Sequence, residues 1–155
     1  MTLLELGIFQ QQIPVLFRSY HPIKGVKKEM TAYKRSHLIQ IIKRMGEHIF
    51  NGEFKHLGLE DKTIYFETDD DESQNSPTNQ SMIIAISDRL SDPEIVRKLL
   101  KKLLLAFNLQ YPIGSDPVKD SEQFEPFIQE IDHVLSDETK TPLQRVITSL
   151  FKQSL

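Results

Sequence analysis

Apolar positions along this chain follow two periods, and in one place they follow neither. Met82-Ile83-Ile84-Ala85-Ile86 is an unbroken apolar run. A strand that offers one face to a core reads apolar, polar, apolar; a strand covered on both faces reads as a short continuous run. Its three isoleucines favour strand, because β-branched side chains pack well on a pleated surface. The run predicts the central strand of a sheet with helices on both sides.

The rest of the pattern can be placed around it. Residues 3–9 and 13–20 read as two strands joined by Gln10-Gln11-Gln12, a connection of hairpin length. Pro14 has no N–H for a ladder, so the second strand lies at an edge or bulges at its start. A basic loop with Pro22 and Gly25 leads to a helix over residues 36–50, with Thr31 or Ser36 as its cap. There Leu38, Ile42, Met45 and Ile49 fall at i, i+4, i+7 and i+11, and Ile39, Ile41 and Phe50 widen the stripe beyond one sheet contact. Asn51-Gly52 supplies a left-handed stop.

Residues 54–59 form a weak short strand, and residues 63–68 alternate Ile64 and Phe66 with Tyr65 and Glu67, the strand period. A polar stretch over residues 69–80 makes a long hairpin tip before the central run. The next helix opens at Ser91 and Glu94 in capping-box spacing, with Asp92-Pro93 as the alternative cap. Its apolar positions run from Ile95 to Phe107. A third helix, capped by Ser121, carries Phe124, Phe127, Ile128, Ile131 and Leu135 on one face. Thr141-Pro142 starts a tail helix with Leu143, Val146, Ile147, Leu150 and Phe151 on one side.

The expected fold is therefore α/β of the α+β type. A five-stranded, mainly antiparallel sheet lies between helices, in the order β-β-α-β-β-β-α-α plus the tail helix. Residues 1–136 form the domain and residues 137–155 the linker and tail.

Charge adds one feature. Residues 1–60 carry a net +4 and the remainder −7. The cations cluster at Arg18, Lys24, Lys27, Lys28, Lys34, Arg35, Lys43 and Arg44. Lys24, Lys27, Lys28, Lys34 and Arg35 are the candidates for touching an anionic surface. Aromatics are not interleaved among them as a single-strand nucleic-acid groove requires, since only Tyr20 and Tyr33 bracket the cluster.

Candidate chemistry thins out quickly. The chain has no cysteine, which removes disulfides and thiolate metal sites and fits a reducing compartment. Asp69-Asp70-Asp71-Glu72 fails the calcium-loop pattern, because Gln74 stands where the glycine belongs and Gln80 where the bidentate Glu belongs. The histidines at 21, 37, 48, 56 and 133 make no HExxH pair, and there is no GxSxG, P-loop or GxGxxG. No secretory signal and no membrane-length apolar run is read, so the expected location is cytoplasmic, with peripheral membrane contact through the basic cluster. The expectation is a protein without catalytic, metal or cofactor residues.

This element order resembles the longin domain of the SNARE-like superfamily, which includes the sigma subunits of clathrin adaptors. The resemblance covers about residues 3–135. It is carried by the hairpin of residues 4–20, the helix of residues 36–50, the strands of residues 63–68 and 82–87, the passage through Asp92-Pro93 into the helix of residues 95–109, and the closing helix of residues 124–135. A short chain of this kind is similar to single-domain archaeal longin proteins. The resemblance implies a non-catalytic interaction module of vesicle-trafficking type. Its implied partners are a small GTPase or another longin or roadblock domain, and it implies a homodimer. The partner surfaces offered by the sequence are an edge strand and the first helix, with Ile13, Val15, Phe17, Ile39 and Lys43 as contact residues. The alternative is a small-molecule sensor of PAS or GAF type, which requires an apolar pocket with a few converging polar groups.

Overall fold

The computed structural model describes residues 2–11, 13–23, 31–69, 81–88, 92–112, 124–135 and 150. Its elements in chain order are β1 (Leu3–Gln10), β2 (Ile13–Ser19), α1 (Ala32–Phe50), β3 (His56–Gly58), β4 (Lys62–Thr68), β5 (Ser81–Asp88), α2 (Pro93–Gln110) and α3 (Glu125–Val134). The strands form one sheet in the order β2-β1-β5-β4-β3, and every neighbouring pair is antiparallel. The element order is the one read from the sequence. The tail-helix positions other than Leu150, the cap residues Ser91 and Ser121, and the hairpin tip beyond Asp69 lie outside the described residues.

β5 occupies the middle, and seven of its eight residues are buried. Its alternation splits between two cores. Ile83 and Ala85 face α2 and α3, packing with Leu6, Ile8 and Tyr65 against Leu100, Leu104, Phe107, Phe127 and Ile131. Met82, Ile84 and Ile86 face the other way, with Phe9, Ile64, Phe66 and Ile39 of α1. The absence of alternation in the sequence is thus two interleaved faces, each covered.

Both strand irregularities fall in the opening hairpin. Leu3 pairs with Ser87 but Glu5 with Ile86, so Leu4 is an extra residue in β1. The bulge turns Leu4 and Glu5 to the α1 side. Opposite Ile8 and Phe9, the β2 ladder shifts beside Pro14, as a strand lacking one donor must. Pro14 therefore marks both an edge strand and a bulge.

Local signals set the helix ends. Thr31 caps α1, its Oγ1 accepting from Lys34 N at 3.2 Å, and Asn51 ends it at φ 50° and ψ 44°. Asp92 caps α2 through Glu94 N at 3.0 Å, with Pro93 in the first turn. An arginine–carboxylate pair then ties each helix to the sheet. Arg35 of α1 pairs with Glu5 of β1, Arg97 of α2 with Glu67 of β4 at 2.6 Å, and Arg18 of β2 with Asp132 of α3 at 2.7 Å.

Candidate functional site: the outer face of helix α1

α1 lies on the sheet with the side opposite to the one its composition suggests. Ser36, Gln40 and Lys43 are buried toward the sheet beside Ile39. Leu38, Ile41, Ile42, Met45 and Ile49 point outward and are 41–67 % exposed, and Phe50 at the helix end is 76 % exposed. A helix normally buries its apolar stripe. Here the stripe forms a convex ridge in solvent.

Four contacts fix this rotation. Arg35 is drawn inward to Glu5, whose carboxylate is almost fully buried. Gly46 comes up against the ring of Phe54, which itself packs edge-on against Phe66. On the opposite flank Tyr33 rests on Phe17 of β2, centroids 5.7 Å apart, and stacks along the helix with His37. Ser36 Oγ sits over Gly7 of β1, where an added Cβ would be a tight 3.2 Å away. Small or polar residues thus let α1 approach the sheet closely, and the large aliphatic ones are left outside.

The sequence-predicted contact residues divide. Ile13 is 61 % exposed at the start of β2, but Val15 and Phe17 are half-buried. Val15 packs against the core under α2 and α3, and Phe17 is held between Phe9 and Tyr33. Ile39 and Lys43 are corrected by the structure: both are buried against the sheet, and the Lys43 ammonium pairs with Glu47. Helical period finds a stripe but not which stripe meets the sheet. Leu38, Ile42, Met45 and Ile49, read from the sequence as one face of the helix, are the exposed ones.

The basic cluster also divides. Lys24, Lys27 and Lys28 lie outside the described residues. Among the others, Arg18, Arg35 and Lys43 are held in ion pairs. Arg18 is held more firmly in its cationic form by the Asp132 hydrogen bond, and burial lowers the pKa of Arg35. Lys34 and Arg44 are exposed on α1.

Other chemistry is sparse. An open cleft of about 420 Å³ lies at the C-terminal end of α1, lined by Lys43, Glu47, Asn51, Gly52, Glu53 and Thr68. Its walls are polar, unlike the apolar pocket that a small-molecule sensor needs. Among the described residues no group of three or more His, Asp or Glu side chains could hold a metal ion. No helix there is long and apolar enough to cross a membrane. The chain matches no protein-family model and no curated protein.

Proposed function

We propose that this chain is a non-catalytic interaction module of longin type, which binds protein partners through the outer face of α1. Small GTPases and other trafficking-type subunits are the partner class. The observation that carries this reading is the exposed row of Leu38, Ile42, Met45 and Ile49. Large apolar side chains in a contiguous exposed row mark an interaction surface, whereas single ones need no explanation. β2 adds a second surface, since among the described residues no strand pairs with its outer edge.

The two-sided sheet supports the longin resemblance over the sensor reading. The apolar rows above and below β5 are filled by side chains from three helices, which leaves the interaction surfaces outside the core.

The test is capture of small GTPases from the source cell, loaded with GDP or a GTP analogue, on the immobilised chain. Capture by the wild type, lost in Ile42→Asp and Met45→Asp, is expected. Failure to recover a GTPase in either nucleotide state removes that partner class. Capture unchanged by both substitutions removes α1 as the docking face.

A further inference from the structure

We propose that the outer face of α2 rests on an anionic lipid surface. α2 lies across the sheet from α1, so the inference is independent of the reading of α1 as a docking face.

The charge pattern of α2 carries it. From Arg97 to Gln110 the helix holds four cations and no carboxylate, in a chain whose net charge is −3. Arg97 is held by Glu67, and Lys101 is half-buried. Lys98 and Lys102 stand out in solvent, with 72 % of the Lys98 side chain exposed. Acids reach α2 at its ends and flanks. Glu94 pairs with Lys98 at 3.4 Å in the first turn, Asp69 accepts from Asn108, and Glu130 of α3 accepts from Gln110. None lies on the helix itself between Lys98 and Leu109.

The lysines share their stripe with bare aliphatic side chains. Lys98, Lys102, Leu105 and Leu109 are spaced by four, three and four residues, which puts them on one side of the helix. The other side, with Val96, Leu100, Leu103, Leu104 and Phe107, is buried in the core. Leu105 is 61 % exposed and Leu109 83 %, and Ile95 at the opposite end is 60 % exposed. The row from Ile95 to Leu109 is about 21 Å long.

Lysine and leucine on one exposed side are what a helix needs at the boundary between headgroups and acyl chains. The leucines reach below the headgroups. The lysine stems run along apolar surface and hold their ammonium groups at the level of the phosphates. This side is also the convex crest of a helix whose back is fixed to the sheet. A fluid bilayer meets such a crest without a matching groove, whereas a folded partner must supply one. α1, on the far side of the sheet, is left clear of the membrane.

The test is co-sedimentation of the full chain with vesicles of phosphatidylcholine, alone or with about 30 % phosphatidylglycerol, at low salt. Binding to the anionic vesicles only, falling as salt is raised, is expected. A lysine at such a surface strengthens partitioning about fivefold, so Lys98→Gln/Lys102→Gln should weaken it about thirtyfold. Leu105→Gln/Leu109→Gln should weaken it about tenfold with the charge unchanged. Lys34→Gln, on α1, should leave it unchanged. These substitutions alter exposed side chains, and circular dichroism should show the wild-type fold in each. The absence of native cysteine allows a single environment-sensitive dye to report depth. On Leu109→Cys the dye should brighten and shift to the blue with anionic vesicles, and on Ile42→Cys it should not.

No binding to the anionic vesicles at low salt overturns the inference. Binding that Lys98→Gln/Lys102→Gln leaves intact also overturns it, by moving the contact away from α2. If the lysine variant loses binding but the leucine variant does not, or the dye at Leu109→Cys stays dim, α2 is a site for soluble polyanions and the lipid surface is withdrawn. None of these results bears on GTPase capture through α1, which its own substitutions test.

Discussion

Gly46 of α1 lies against the ring of Phe54: a Cβ built on Gly46 would stand 2.7 Å from Phe54 Cδ2 and closer still to Cε2. Glycine inside a helix costs about 1 kcal/mol relative to alanine, so propensity alone predicts that Gly46→Ala stabilises the fold. The packing predicts the reverse. Phe54 is backed by Phe66, so an added methyl must displace the ring or the helix, at about 1–3 kcal/mol. Chemical denaturation should show Gly46→Ala less stable than wild type. In a Phe54→Leu background the same change should be neutral or stabilising.

The exposed ridge predicts a contrast in stability. Ile42→Asp should change the stability of the isolated chain by about 0.5 kcal/mol or less, because Ile42 contacts solvent rather than core. Ile84→Ala, in the central strand, should cost about 2–5 kcal/mol. Thermal melts at low protein concentration measure both, away from any effect of association.

The three arginine ties differ in burial and should differ in worth. Arg18 and Asp132 are 44 % and 33 % exposed, and exposed pairs contribute about 0–1 kcal/mol. Glu67 is only 6 % exposed, so Arg97→Ala leaves a buried carboxylate without its partner. Breaking such a pair costs about 3–5 kcal/mol. Urea unfolding should therefore rank Arg97→Ala well below Arg18→Ala. The opposite order would mean that Glu67 has another way to be solvated.

Tyr20 gives a pH signature. Its hydroxyl is buried beside Asp132, and burial, helped by the charge and hydrogen bonding of that carboxylate, raises its pKa well above the usual phenol value. The neutral phenol is the form held in the fold. Below pH 10 neither state is ionised, and the contribution is fully present. As pH rises above 10 the unfolded chain loses the proton first, and stability falls until the folded pKa is passed. Tyr20→Phe should flatten the alkaline loss of stability. Denaturation midpoints at neutral and alkaline pH, wild type against variant, measure the difference.

How far the sequence discloses this molecule depends on whether a signal is local. Asn51 stops α1, Asp92-Pro93 starts α2, and Pro14 marks an edge strand with a bulge, each for a reason written in one or two residues. The β5 run is legible because burial on both faces removes alternation. Glu5 and Glu67 read as ordinary polar strand positions; their burial depends on Arg35 and Arg97, each thirty residues away. The rotation of α1 is hidden for the same reason. Ser36, Gln40 and Lys43 resemble a solvent face until Gly7, Glu5 and Phe54 are in place to receive that side. The candidate site was thus visible as a stripe, and its outward direction was not.

That direction is what the functional account depends on. Alkylation of single cysteines measures it most directly, because the chain supplies no background thiol. At a protein concentration too low for association, Ile42→Cys should react with a maleimide nearly as fast as in the unfolded chain, and Ile39→Cys should be strongly protected. Protection of Ile42→Cys together with a fast-reacting Ile39→Cys would place the aliphatic ridge against the sheet and contradict the account.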